Sequence, residues 1–210
     1  MKLLILGATG GTGRSTLKEA KALGHDVTVF VRDRSKLSAG EQAGTRVVTG
    51  SLPEDESVLA EAMRGQNAVI SALGRGRSFK PEDLMKRSVP VILRAMGQAG
   101  VRRLVFTSAF GIGETWRDTP WISRLFARTL LRGLYADKTL GEALIRQSDL
   151  DWTIVHPTML TDGPRKGTWR SGERLPLSGL PKISRGDAGA FLVSQLNDTS
   201  YIRKTVLVSY

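Results

Sequence analysis

The stretch MKLLILGATGGTG, Met1 to Gly13, decides the fold. Leu3, Leu4, Ile5 and Leu6 form a continuous apolar run bounded by glycine. A run of that length fits a strand buried on both faces, as in a parallel sheet. Gly7, Gly10 and Gly13 follow at intervals of three, and Arg14 to Leu23 reads as a helix with Leu17, Ala20 and Leu23 on one side. Strand, glycine-rich turn and helix are the setting in which a glycine motif holds a dinucleotide. Glycine takes the tight turn, and its missing Cβ lets a pyrophosphate approach the backbone. The free N–H groups at the helix start face the anion, with the helix dipole behind them.

Working outward, Gly24 supplies the helix stop, and Asp26 to Val31 (DVTVFV) has the β-branched and aromatic content of a second strand. Its end carries Arg32-Asp33-Arg34-Ser35-Lys36. At this position an acidic residue accepts from the ribose hydroxyls of NAD, whereas an arginine accommodates the 2′-phosphate of NADP. Arg32, with Lys36 behind it, favours NADP; Asp33 is the competing signal. Arg46 to Thr49 is a third strand, followed by Gly50, Ser51 and Leu52. Pro53-Glu54-Asp55-Glu56 reads as a proline-led helix start running to about Met63. Asn67 to Ser71 is the fourth strand, and Ala72, Leu73, Gly74 and Arg75 follow at its carboxyl end, where open α/β sheets place ligands. A long helix is predicted over Pro81 to Ala99, with Pro90 as a kink. Arg103 to Thr107 is the fifth strand, delivering Ser108 to the same edge. A basic helix over Trp121 to Gln147 and a sixth strand, Asp151 to His156, come next. A short strand around Thr168 to Arg170, a helix over Ala188 to Leu196 and a last strand, Lys204 to Ser209, complete the pattern.

Composition bounds the rest. With 210 residues, one domain over 1–210 is expected. Hydrophobic content of 40% and charged content of 24% are ordinary for a globular chain. There is no cysteine, which rules out disulfides and thiolate chemistry and fits a cytoplasmic protein. No apolar run is long enough to span a bilayer, and no membrane partner is expected. The net charge of +11 is spread along the chain without a basic tail, so it is read as a surface that draws anionic ligands rather than nucleic acid. With two histidines and no cysteine, no metal site is expected.

Three motifs together carry a resemblance. Gly7-x-x-Gly10-x-x-Gly13 encloses Thr9; Asp151 to Pro157 reads DWTIVHP; Ile183 to Asp187 reads ISRGD. The chain resembles the atypical short-chain dehydrogenase/reductase superfamily, in particular the proteins similar to biliverdin reductase B (flavin reductase) and to the NmrA group. The resemblance implies a Rossmann-like, doubly wound parallel sheet with a small C-terminal substrate lobe over about 161–210. It implies that Gly7, Thr9, Gly10, Gly11, Thr12 and Gly13 hold the pyrophosphate and that Arg32 and Lys36 meet the 2′-phosphate. Ser51 stands where relatives carry an acidic residue near the adenine, so Ser51 or Leu52 takes that contact. Ala72, Leu73, Gly74, Arg75, Thr107 and Ser108 line the middle of the cofactor, and Pro157, Thr158 and Met159 meet the nicotinamide carboxamide through backbone groups.

The superfamily's catalysis uses a serine, a tyrosine and a lysine, the last two as Y-x-x-x-K. Ser108 matches the serine. Tyr135 and Lys138 are three apart instead of four, and Leu134 takes the tyrosine's place. The triad therefore reads as broken. Tyr135 is read as half-buried ahead of catalytic, and Lys138 either touches the ribose or pairs with Glu142 on the helix surface. His156 replaces an arginine common in the family and is read as structural. Two functions follow: a reductase passing hydride from NADPH to a small planar acceptor such as a flavin or quinone, or a non-catalytic NADP-binding redox sensor of the NmrA-like kind. NAD is the less favoured cofactor, and a monomer or homodimer is expected.

Overall fold

Leu3, Leu4, Ile5 and Leu6 are completely buried, with alternate residues in two separate cores. This is the signature of a central parallel strand covered by helices on both faces. At about 1.5–3 kcal/mol for each large aliphatic side chain removed from water, that one strand contributes roughly 6–12 kcal/mol toward folding as an upper estimate. The computed structural model describes residues 1–74, 83–112 and 132–210, apart from the side chains of Arg132 and Leu134.

The described elements run β1 (Lys2–Leu6), α1 (Gly11–Ala22), β2 (Asp26–Val31), a 3-10 turn (Arg34–Lys36), α2 (Ala39–Gln42), β3 (Thr45–Thr49), α3 (Glu56–Met63), β4 (Ala68–Ser71), α4 (Leu84–Ala99) and β5 (Arg103–Thr107). They continue with α5 (Arg132–Arg146), β6 (Asp151–Pro157), β7 (Met159–Thr161), β8 (Arg170–Gly172), β9 (Lys182–Ser184), α6 (Arg185–Ser194) and β10 (Lys204–Ser209). The main sheet has the order β3-β2-β1-β4-β5-β6-β10-β8. It is parallel from β3 to β10, and β8 adds an antiparallel edge. The strand order reverses at β1 and β4, which places the glycine-rich turn at the switch point where such sheets bind ligands.

One face of the sheet is covered by α1 and α6, whose Leu17, Ala20, Ala188, Phe191 and Leu192 join Leu3 and Ile5. The other is covered by α3, α4 and α5, whose Leu59, Met63, Met85, Ile92, Met96 and Ile145 join Leu4 and Leu6. The C-terminal segment therefore splits. β8, β10 and α6 extend and cover the main sheet, and the two-stranded β7–β9 sheet makes a separate small sheet whose Leu160 and Ile183 still pack into the core under α1 and α6.

Three boundaries differ from the expectation. The proline-led helix start is a turn at Pro53 and Glu54; α3 begins at Glu56, and Asp55 spends its carboxylate on the Ser51 N–H, not on a cap. Pro90 lies inside α4, which continues to Ala99 and ends on Gly100 in the left-handed region, φ 70°. The missing proline N–H orphans only the carbonyl of exposed Lys86, where water can serve it. The last helix starts three residues early, at Arg185, because Ser184 caps it by accepting from the Asp187 N–H at 3.0 Å. The expected Arg75, the loop 114–120, and the start of the long basic helix at Trp121 lie outside the described residues.

Candidate functional site

The glycine-rich turn is packed too tightly for side chains. Gly7 has φ +77°, and a Cβ there would lie 2.5 Å from the Ala72 carbonyl oxygen. A Cβ on Gly13 would lie 2.0 Å from the Gly7 oxygen. So Gly7 and Gly13 seat the turn between the ends of β1 and β4 and let α1 start directly above it. The N-terminus of α1 has Gly10 as its N-cap, without a side-chain cap and without an acidic residue in the first turn. Its free N–H groups are thus left for an anion.

Arg14 ties this turn to the loop after β2. Its Nε donates to the Thr9 carbonyl at 3.2 Å, and its guanidinium also donates to the Lys36 carbonyl and pairs with Glu41. Arg32 is exposed at the end of β2, and no hydrogen bond or ion pair holds its side chain among the described residues. Asp33 caps the following turn: its Oδ1 accepts from the Ser35 N–H at 2.9 Å and the Ser35 hydroxyl at 2.6 Å, and these bonds hold its carboxyl below the usual range. Lys36 is exposed. The Ser51 hydroxyl donates to Glu54 at 3.1 Å, so it is engaged locally, beside partly buried Leu52. Gly50, just before it, is needed because a Cβ would lie 2.4 Å from the Phe30 ring.

At the carboxyl ends of β4 and β5, Ser71, Thr107 and Ser108 are buried, and their hydroxyl oxygens have no hydrogen-bond partner among the described residues. Each such orphan costs about 1–3 kcal/mol unless something pairs with it. They sit beside Ala72, Leu73 and Gly74, on the edge that the glycine turn faces.

Behind Ser108 lies a polar cluster built around His156, read from the sequence as structural, and Glu142, read there only as a surface partner of Lys138. Glu142 on α5 is 3% exposed, and its Oε1 lies 2.8 Å from Nε2 of His156, itself wholly buried on β6. Arg146 Nη2 reaches Glu142 Oε2 at 3.4 Å and donates to Thr205 at 2.6 Å. Burial pushes the Glu142 carboxyl up, but His156, Ser108 and Arg146 outweigh it and hold the group below its ordinary value. The Ser108 hydroxyl is close enough to the carboxylate to help hold it in its charged form. Lys138, one turn before Glu142, is 7% exposed. Of the two readings of Lys138, the solvent-facing pair with Glu142 is therefore corrected, since α5 turns both residues into the protein. A hint was present in the sequence, since His156 and Glu142 are both polar positions flanked by residues of the apolar pattern.

Tyr135 is half-buried, as read, and its hydroxyl donates to the Phe110 carbonyl at 3.0 Å, two residues beyond Ser108. Burial pushes its pKa up. The one-residue offset thus leaves Tyr135 near the β5 edge with its proton already engaged. Between them, Asp137 accepts from the N–H groups of Met85 and Lys86 at 3.1 and 3.0 Å and so caps α4 from outside.

The segment after β6 differs from expectation in its backbone. The Thr158 N–H donates to Val208 at 3.1 Å and the Met159 N–H to Pro181 at 3.1 Å, while the Pro157 carbonyl accepts from Phe110 at 3.3 Å. Of the backbone groups expected to meet a carboxamide, the Thr158 and Met159 N–H groups are thus taken by backbone pairing. What this segment exposes is the Met159 side chain.

Residues 7–199 match the profile of the NAD(P)H-binding family. The phenylcoumaran benzylic ether reductase IRL1 of Ginkgo biloba is 37% identical over 228 aligned positions, covering 98% of this chain and 68% of that protein. The photosystem II assembly factor Ycf39 of Synechocystis is 26% identical over 98% of this chain, which spans 61% of Ycf39's length. Among solved structures, the anaerobillin reductase ChuY of Escherichia coli O157:H7 superposes with a TM-score of 0.81 at 24% identity, covering 99% of this chain and 96% of that one. With this sheet order, this glycine turn and a profile match over most of its length, the chain belongs to the NAD(P)H-binding family, on the atypical short-chain dehydrogenase/reductase branch.

Proposed function

We propose that the protein is an NADPH-dependent reductase that passes hydride to a small planar acceptor such as a flavin or a quinone. The observation that carries this reading is the pair of buried hydroxyls of Ser71 and Thr107, without a partner among the described residues, beside Ser108 on the edge facing the glycine turn. The residues fit a dinucleotide. Gly7 and Gly13 leave a cradle that a Cβ would fill, and Thr9 to Gly13 present backbone to the pyrophosphate. Arg32, unpaired and exposed, meets a 2′-phosphate, while Asp33 is occupied as a cap and so weakens the case for NAD. Bound there, the cofactor supplies the hydride.

The chain's own contribution is placement. Thr107 and Ser108 orient the acceptor's polar atoms, and Glu142 with His156 holds the floor beneath Ser108. Lys138, buried one turn before Glu142 on the same helix, is the candidate for the ribose contact. Tyr135 does not act as the acid, since its proton is engaged by Phe110. A flavin or quinone, whose reduced form takes its proton from solvent, suits a site built this way. The two reductases among the similar proteins support a reductase here.

The test is absorbance loss of NADPH with FMN, with a quinone and with neither, beside calorimetric binding of NADPH and NADH. Acceptor-dependent oxidation with tighter binding of NADPH is the expected result. Tight binding without oxidation by any acceptor overturns turnover and leaves a cofactor sensor of the NmrA-like kind, a reading that Tyr135's engaged hydroxyl also favours.

A further inference from the structure

Gly11 is the first residue of α1, and nothing in the turn itself forbids a side chain there. The obstacle comes from the far end of the chain: a Cβ on Gly11 would lie 2.6 Å from Cδ and 2.9 Å from Nε of Arg185. Arg185, the first residue of α6, thus lays its stem across the N-terminus of α1, with its guanidinium beside the turn. The neighbouring contact is equally close, since a Cβ on Gly189 would lie 2.7 Å from the Thr16 backbone nitrogen. The close approach of the two helix backbones brings the Arg185 stem to the end of α1. Its charge is balanced by Asp162, whose Oδ1 lies 2.6 Å from Nη1. Asp162 is 89% exposed, and an ion pair so open to water is weak and readily exchanged.

We infer that Arg185 is a positioning residue for the cofactor's pyrophosphate, supplied from the C-terminal segment. It adds a full cationic charge to the partial charge of the α1 N-terminus, exchanging Asp162 for phosphate when the dinucleotide binds. This inference rests on the dinucleotide reading above and goes further, in naming a residue outside the glycine motif. It also assigns Gly11 a purpose: the absent side chain makes room for the arginine stem.

The experiment is calorimetric binding of NADPH and NADH to the full chain carrying Arg185→Met, Arg185→Lys or Asp162→Asn, with melting temperatures as the second readout. Methionine keeps the packing of the stem and removes the charge; lysine keeps both in part. The pyrophosphate is common to both nucleotides, so Arg185→Met weakens NADPH and NADH by the same factor, about tenfold for a lost charged phosphate contact. Arg185→Lys restores most of the affinity, and Asp162→Asn tightens both nucleotides at low salt. Unchanged binding in Arg185→Met overturns the inference, as does a loss confined to NADPH or a lysine variant as weak as the methionine one. If the parent protein binds neither nucleotide, the dinucleotide reading itself fails, which is a separate result.

Discussion

Replacing Gly13 by alanine tests the idea that the glycine turn is a packing device as well as a binding one. The added Cβ would meet the Gly7 oxygen at 2.0 Å, the Gly7 carbonyl carbon at 2.7 Å and the Ala8 Cα at 2.9 Å. All three are backbone atoms of the turn, and none can swing aside as a side chain would. α1 must lift from the end of β1, loosening Leu17 and Ala20 from the core under it. Overpacking of this kind costs about 1–3 kcal/mol where side chains can yield, and an obstruction made of backbone belongs at or above the top of that range. For a chain of this length, about 3 kcal/mol lowers the melting temperature by roughly 6–12 °C. Gly97→Ala is the matched control. Gly97 is exposed inside α4, and a Cβ there meets nothing within 4 Å. That substitution gains helix propensity worth about 1 kcal/mol and raises the melting temperature by roughly 2–4 °C. Thermal unfolding followed by far-ultraviolet circular dichroism reads both. A Gly13→Ala protein that melts within about a degree of the parent would refute the packing argument, since so small a shift corresponds to well under 1 kcal/mol.

Three further outcomes are expected. Arg32→Ala weakens NADPH by about tenfold or more and leaves NADH nearly unchanged, because only NADPH carries the 2′-phosphate; calorimetry that finds equal losses removes the phosphate assignment. Tyr135→Phe keeps reductase turnover within about threefold while lowering stability by about 1 kcal/mol through the lost Phe110 bond; a fall of several powers of ten in kcat would make Tyr135 the acid. Glu142→Gln destabilises by about 2 kcal/mol, less than a fully enclosed pair would, because Arg146 is partly exposed and can reach water. Since the Glu142 carboxyl is held below 4.5, its contribution is present above that pH and is lost as pH falls through the lower folded value. Urea titrations of parent and variant therefore converge on acidification, and a gap that stays constant with pH would count against the carboxylate.

The central strands were legible because each is a short apolar run doubly covered by helices, and such runs need no partner to be recognised. Their parallel arrangement in a doubly wound sheet followed from the strand–helix alternation. The glycine turn was legible as well, through Gly7 and Gly13, whose tightness the structure puts at the Ala72 and Gly7 carbonyls. What escaped were contacts between residues far apart in sequence. Lys138 and Glu142 are four apart on a helix and look like a surface pair; only the seating of α5 against β6 makes the carboxylate the partner of His156. The same is true of Arg185, whose place over Gly11 depends on how α6 crosses α1. The pairing of the Thr158 and Met159 N–H groups escaped for a related reason: it depends on Val208 and Pro181, which arrive much later in the chain.

The crossing of α1 and α6 has a consequence for synthesis. The layer that shields Leu3 and Ile5 is made from Leu17 and Ala20 near one end and Ala188, Phe191 and Leu192 near the other. Between the last residue of α1, Ala22, and the last of α6, Ser194, the ribosome must add 194 − 22 = 172 residues. At roughly 5–20 residues per second that takes about 9–34 s, during which one face of the growing sheet is only half roofed. The nascent chain thus carries an open apolar surface for most of its elongation, a natural landing place for chaperones and a point at which slowed translation or early termination would feed aggregation before the fold can close.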